Sequence, residues 1–428
     1  MKTTSTTEWA ATIGLDWADK KHDLWIRLAG QSKGQHMQLK QTPEALHEWV
    51  AKLREQVGNG RVAIAIETSR GPVISALTAY DFIVIFPVNP KALKDYRAAF
   101  CVSGAKDDRT DALLLEDFVR LHGDQLKALE PDTELTRKLG GLVENRRRLI
   151  GERTRLVNQL HCTLKTYFPL AEELLGKQMN TVMAAEFLVR WPRLENLKKE
   201  SSKNLRAFFY QHNCRKTELI DERLKIIQNA KALTSDAAII EPACQLVLGL
   251  AGMLKPLHSA IQRLDDAIKA AMDQHPEAPI FRSFPSAGAA LAPRILVAFG
   301  TDRQRFESAD EVAQFYGIAP VVKQSGNSKT VHMRYRCPKF GRQSFHENAA
   351  CAAKSERWAK CYYERHKEKH DDKHHRACRA LAYKLIRIYF ACWRDRKIYQ
   401  SEQYLQALQT SGSPLHKALQ SSQQAKCE

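Results

Sequence analysis

The sequence predicts an α/β domain followed by a mainly helical body, on three observations. Short β-branched apolar runs alternate with helical patterns over residues 11 to about 125. Leucine heptads then take over from about residue 131 to 275. A compact, basic, mainly helical stretch occupies 276–400, and 401–428 reads as a polar tail. At 428 residues the chain exceeds what one hydrophobic core serves, so several domains are expected, with the first spanning 1–130.

The elements of the first region follow in order. ATIGLDWADKKHDLWIRL reads as a strand, a turn around Asp19 to Lys21 and a returning strand. Helical segments around Glu44 to Gln56 and Pro72 to Tyr80 separate two further strands, RVAIAIE and FIVIFPVNP. RVAIAIE is continuously apolar, as a strand buried on both faces must be. Strands interleaved with crossover helices argue an α/β sheet. In the second region Leu135, Leu142, Leu149 and Leu156 recur every seven residues, with Leu139 and Leu160 on the same seam. Leu250, Leu254, Leu257, Ile261, Leu264 and Ile268 form a second seam. Each stripe suits burial against another helix, either within the chain or in a dimerising coiled coil. Arg146 and Arg153 fall on the first seam, and Pro256 is expected to kink or interrupt the second helix. RACRALAYKLIRIYFACWRDRK is amphipathic: Leu381, Leu385, Ile388 and Cys392 face a core, leaving Arg379, Lys384 and Arg387 for phosphates. From about Ser411 the Ser/Gln/Lys-rich end is expected to fray.

A formal charge of +18 points to a polyanionic partner, nucleic acid first. No stretch approaches the roughly 20 uninterrupted apolar residues of a membrane span, and the N-terminus lacks a signal-peptide core, so a cytoplasmic protein with no membrane partner is expected. The ten cysteines include no CxxC pair and read as free thiols. His366, His370, His374, His375 and Cys378 lie in HKEKHDDKHHRAC, which reads as a solvated basic helix face more readily than as a zinc site.

The strongest chemical signal is a set of acids. Asp16 ends one strand run and Glu67 ends another; Asp108 and Asp111 lie three residues apart where a helix begins. Converging carboxylates repel unless cations neutralise them, and magnesium suits hard oxygen ligands. Two such ions serve phosphodiester chemistry by stabilising both attacking and leaving oxygens. Asp107 competes with Asp108, and Glu116 with Asp111.

GLD at Gly14 to Asp16, IET at Ile66 to Thr68 and KDDRTDA at Lys106 to Ala112 resemble the DEDD motif of the RuvC-like, RNase H-fold domain in the "one-ten" family of insertion-sequence transposases. NPK at Asn89 to Lys91 matches the segment before the last two acids. FESADEVAQFYGIAPVVKQSGNSK resembles the family's C-terminal transposase domain with its Ser-Gly motif. The resemblance implies metal ligation by Asp16, Glu67, Asp108 and Asp111, and a nucleophilic Ser325. It further implies a composite site, a phosphoserine–DNA intermediate, a structured guide RNA and a dimer or tetramer. FPSAG at Phe284 to Gly288 sits at the family's PGxG turn, degraded here to PSAG. Pro338 stands where many members have serine, and the central helical region is longer than usual.

On chemistry alone Ser328 equals Ser325, and His332 is a candidate base. Lys323, Lys329, Arg334, Arg336, Lys339 and Arg342 surround the serines and suit phosphate contacts, with Tyr335 and Phe340 placed to stack on bases. The expected function is a transposase acting on element ends and target DNA. The alternatives are a hydrolytic RuvC-like junction resolvase and a nonenzymatic nucleic-acid scaffold.

Overall fold

The computed structural model describes residues 9–100, 107–176, 179–369 and 373–424. The chain forms two compact units, Met1–Pro131 and Asp132–Glu428.

In the first unit β1 (Ala11–Asp16), β2 (Lys21–Leu28) and β3 (Gln35–Lys40) pair antiparallel. After α1 (Pro43–Val57), β4 (Val62–Ile66) joins parallel to β1, and after α2 (Pro72–Leu77), β5 (Ile83–Pro87) joins parallel to β4. The sheet order is β3-β2-β1-β4-β5. Then follow α3 (Pro90–Phe100) and α4 (Asp108–His122). This mixed sheet is compatible with the RuvC-like expectation. Because strand side chains alternate, the sheet has two cores. Ile13, Leu15, Ile64 and Ile66 face Leu46, Trp49 and Leu77 of α1 and α2. Ala63 and Ala65 face Leu93, Leu114 and Leu115 of α3 and α4. That second face carries the acids discussed below. β3 is a strand that the sequence pattern does not predict.

The second unit is helical apart from one hairpin. α5 (Glu134–Tyr167) and α11 (Ala237–Gln274) pack antiparallel along their lengths. Leu139 and Val143 meet Ile268 and Met272 in one core, while Leu160 and Leu164 meet Val247 and Leu250 in another. The two heptad seams therefore serve each other within the chain. Arg146 is accommodated by an ion pair to Asp265. Arg153 is half-buried, and desolvation lowers its pKa. α11 runs unbroken through Pro242 and Pro256, contrary to the expected interruption. By length and composition α11 is apolar enough to cross a membrane; Val247, Leu250, Leu254, Ile261 and Ile268 are buried within the unit, while Ile239, Leu246 and Met253 are exposed.

Between those long helices lie α6 (Leu170–Leu175), α7 (Val182–Arg190), α8 (Leu194–Lys199), α9 (Ser202–Gln211) and α10 (Thr217–Asn229). They close the second core with Phe187, Trp191 and Phe208. After α11 come α12 (Ala278–Arg282), α13 (Gly288–Phe299) and α14 (Ala309–Phe315). The hairpin β6 (Val321–Ser325) and β7 (Ser328–His332) follows. Helices α15 (Lys339–Ser355), α16 (Arg357–Glu368), α17 (His374–Arg394), α18 (Ser401–Thr410) and α19 (Pro414–Gln424) complete the unit. The expected fraying from Ser411 is not observed over α19. Leu408, Leu415 and Leu419 are buried in the same core as Trp358 and Trp393. The ends of α5 and α11 share that core too, so 131–275 and 276–400 are not separately packed regions.

The PSAG turn keeps the backbone of a glycine turn without its glycine. Ser286 has φ 58°, in the left-handed region that costs a residue with a Cβ about 1 kcal/mol or more. Its side chain hydrogen-bonds Ser355 at the surface. Ser286→Gly is therefore expected to stabilise the protein by about 0.5–1 kcal/mol, read as a raised Tm. An unchanged or lowered Tm contradicts this account.

Candidate active site

Strand parity decides which face of the sheet each strand-end acid belongs to. Thr12, Gly14 and Asp16 point to one face of the sheet, because residues alternate along β1. Thr12 Oγ1 donates to Glu116 Oε1 of α4 at 2.6 Å. At Gly14 the helix backbone comes so close that an added Cβ would lie 1.9 Å from the Ala112 carbonyl oxygen. Two strand residues advance about 6.6 Å and four helical residues about 6 Å. Thr12 beside Glu116 and Gly14 beside Ala112 therefore continue to Asp16 beside the first turn of α4, where Asp108 and Asp111 reside. Leu15 pairs with Ile66 across β1 and β4, so Asp16 and Glu67 follow side by side at the same sheet end. Glu67 continues the parity of Ala63 and Ala65 and belongs to the same face.

The two competitors are spent on structure. Glu116 is fully buried and accepts from Arg27 Nε at 3.0 Å and Nη2 at 3.1 Å as well as from Thr12. Its charge is thus compensated inside the fold. Asp107 is the residue before α4 and accepts from Thr110 Oγ1 at 3.4 Å. Asp111 is only 4% exposed and forms an ion pair with Arg97 of α3. Asp108 is exposed on the opening turn. Lys106, from the same motif, lies outside the described residues.

The NPK segment acquires a structural reason. Asn89 Oδ1 accepts from the Lys91 N–H at 2.8 Å, and Pro90 opens α3, a favourable helix start. That start sets the phase of α3 and hence the placement of Arg97. Asp23, opposite Asp16 on β2, is a further buried acid, held by His36 at 2.7 Å and Gln38 at 3.1 Å. Neither Arg97 nor Asp23 stood out in the sequence, because their partners come from other elements.

In the second unit Ser325 closes β6. Ser325 pairs with Ser328 across a two-residue turn, Gly326-Asn327, with Gly326 at φ 54°. A positive φ at the first turn position is what a glycine there supplies. Both serines are exposed. His332 pairs with Val321 at the far end of the hairpin, about 13 Å along the strands from Ser325, too far to act as its base within this hairpin.

Two family models match this chain. Residues 13–169 match the IS110-type DEDD transposase model, and residues 278–364 match the transposase model of the IS116/IS110/IS902 family. The chain belongs to the IS110 family of DEDD transposases. It is 27% identical over 399 residues to the IS117 mini-circle protein of Streptomyces coelicolor, covering 91% of this chain and 95% of that protein. It is 27% identical to the IS110 43.6 kDa protein of the same organism, over 69% of this chain and 73% of that one. The IS900 42 kDa protein of Mycobacterium paratuberculosis is 24% identical over 83% of this chain and 88% of that one.

An IS110-family DEDD domain suggests dependence on a divalent metal. The donors here fit such an ion in type and in face, since all four are hard carboxylate oxygens. Among the described residues, however, no group of three or more His, Cys, Asp or Glu side chains is gathered tightly enough to hold one. Buried Asp111 instead has Arg97 as its counter-charge. The histidine-rich segment likewise forms no such group among the described residues, and His370 lies outside them. His374 instead contacts Cys378 and Tyr363.

The basic residues divide. Lys323, Lys329, Arg336 and Lys339 are exposed. Arg342 is partly buried and donates to the Arg334 carbonyl at 3.3 Å. Arg387 is exposed on α17, but Arg379 and Lys384 are not free as expected. Arg379 is half-buried against Met333, and desolvation lowers its pKa. Lys384 lies over the rings of Tyr362 and Tyr404 at 5.4 and 5.8 Å, where burial again lowers its pKa. Both stems cover apolar surface rather than reaching into solvent. Phe340 is held between Arg147 of α5, 5.2 Å away, and Arg294 of α13, 5.0 Å away, so it is not open to a base. Gly341, on the buried face of α15, admits no Cβ, because the Tyr316 ring would lie 2.2 Å from it.

Proposed function

We propose that this transposase cuts and rejoins insertion-element ends through a covalent bond between DNA and Ser325. The observation that carries the reading is the shared face: strand parity gives Asp16 and Glu67 the side of the sheet on which α4 bears Asp108 and Asp111. Those four residues would hold divalent cations, two magnesium ions in our reading, which would supply charge stabilisation to the attacking and leaving oxygens of a phosphodiester.

Ser325 Oγ bonds to phosphorus as one DNA oxygen leaves, and the proton given up by the serine hydroxyl ends, directly or through water, on that departing oxygen. A hydroxyl of a second DNA end then displaces Ser325, so the bond energy is conserved and strands are rejoined without a further energy source. The exposed tip of the hairpin supports this role, since a phosphate reaches it without displacing packed side chains. Lys323 shares the Ser325 face and is suited to hold that phosphate. In our reading the chain acts as a dimer or tetramer, with acids and serine serving the same phosphodiester. A structured guide RNA chooses the sites; the excess positive charge supports a second polyanion of this kind.

The test is denaturing electrophoresis of labelled element-end DNA incubated with magnesium and the full-length chain, co-purifying RNA retained. A protein-linked band is expected with the parent and is expected to vanish with Ser325→Ala and with Asp16→Ala. Cleavage without such a band, undiminished in Ser325→Ala, would leave a hydrolytic nuclease instead.

A further inference from the structure

The hairpin that carries Ser325 has two chemically different faces. Paired residues of an antiparallel ladder share a face, and alternate pairs face opposite ways. Ser325 and Ser328, Lys323 and Thr330, and Val321 and His332 make one face. Gln324 and Lys329, with Val322 and Val331, make the other. Val322 and Val331 are 52% and 61% exposed, although β-branched apolar residues in a ladder are ordinarily covered. Among the described residues both belong to the exposed large hydrophobic side chains.

We propose that this second face seats the hairpin in the major groove of duplex DNA, leaving Ser325 on the outward face for a phosphate beyond that groove. The inference rests on the serine chemistry proposed above. Three observations select this occupant. From Val312 to His346 the chain contains no Asp or Glu, while Lys323, Lys329, Arg334, Arg336, Lys339 and Arg342 all fall within it. That charge is complementary to a polyphosphate and hostile to a basic partner such as a second copy of the same hairpin. The ladder carries no Phe, Tyr or Trp, the platforms on which single-stranded bases stack. A two-stranded ribbon also fits the B-form major groove, about 12 Å wide, whereas the A-form groove of double-stranded RNA is too narrow. In that seat Val322 and Val331 meet thymine methyl groups and sugar edges, Gln324 reaches base edges, and Lys329 pairs with a phosphate.

The experiment uses full-length chain carrying Ser325→Ala, so that binding is read without reaction. The probes are a labelled 30-base-pair DNA duplex of mixed sequence, one of its strands alone, and the RNA duplex of the same sequence. The double variant Val322→Thr/Val331→Thr preserves β-branching and shape. It is expected to weaken duplex binding about tenfold, with the slope of log affinity against log salt unchanged. Lys329→Gln is expected to reduce that slope by about 0.9, the loss of one phosphate contact. Equal Tm values would show that neither change disturbs the fold. Undiminished duplex affinity in the threonine variant, or tighter binding of the single strand or RNA duplex, overturns the groove assignment. The same substitutions in the Ser325 protein separate the two readings. An adduct formed equally well by the threonine variant removes the groove and keeps the serine. Lost affinity in a protein that never forms an adduct does the reverse.

Discussion

Changing Asp16 or Glu67 to its amide is expected to lower strand cleavage by about a hundredfold to a thousandfold while the protein stays folded. Asp16 ends β1 and Glu67 follows directly on β4, both on the face that α4 covers. Losing a carboxylate that would hold a cation against the developing negative charge costs about 3–4 kcal/mol of transition-state stabilisation. The amide keeps the volume and the hydrogen-bonding reach of the side chain. Glu116→Gln supplies the contrast, because Glu116 is buried and bonded to Thr12 and Arg27. It leaves Arg27 facing a neutral group, so stability should fall by about 3 kcal/mol. Single-turnover cleavage and thermal unfolding of the three variants check this. An Asp16→Asn protein that cleaves at the parent rate would remove the acids from the chemistry.

Gly14→Ala is expected to be nearly as damaging, by a different route. The new Cβ would lie 1.9 Å from the Ala112 carbonyl oxygen and 2.4 Å from the Glu116 nitrogen, both backbone atoms that no rotamer change moves aside. α4 must shift away from β1, carrying Asp108 and Asp111 with it and breaking the Thr12–Glu116 bond. Overpacking of this kind costs about 3 kcal/mol, and a displacement of about 1 Å at the acids costs about a hundredfold in rate. Gly141→Ala in α5 is the control, since a Cβ there meets nothing within 4 Å. It should raise stability by up to about 1 kcal/mol through helix propensity alone. Equal Tm and activity for the two variants would contradict the close approach of α4.

The legible parts of the fold were those whose burial leaves a pattern in one segment. β1, β2, β4 and β5 are β-branched runs, and the seams of α5 and α11 repeat at heptad spacing. β3, QHMQLK, was not legible because an edge strand half-open to solvent looks like a polar loop. The β6–β7 hairpin buries neither face, leaving only the Gly-Asn turn as a cue. α11 passes through Pro256 because packing against α5 outweighs a local cost of about 3 kcal/mol. The terminal helices were missed because Leu408, Leu415 and Leu419 stand among Ser and Gln, and only the core they meet gives them meaning.

The acids were legible as types and positions, but their division of labour was not. Glu116 and Asp111 are equivalent by spacing on α4; partners roughly a hundred residues away, Thr12 and Arg27, assign Glu116 to structure. Arg97 had no signal, because its partner Asp111 sits on another helix. Arg379 and Lys384 fell on the polar side of the α17 pattern, yet Met333, Tyr362 and Tyr404 cover their stems. Ser325 and Ser328 remain symmetric across the turn, and the structure alone treats them alike.

That symmetry marks the most direct test. The protein–DNA adduct formed with magnesium would be digested with nuclease and protease, and the peptide spanning β6 and β7 sequenced by mass spectrometry. The account predicts a nucleotide phosphate on Ser325 and none on Ser328, lost when Asp16 is changed to Asn. A phosphate on Ser328 or elsewhere, or on Ser325 undiminished without the acids, would contradict it.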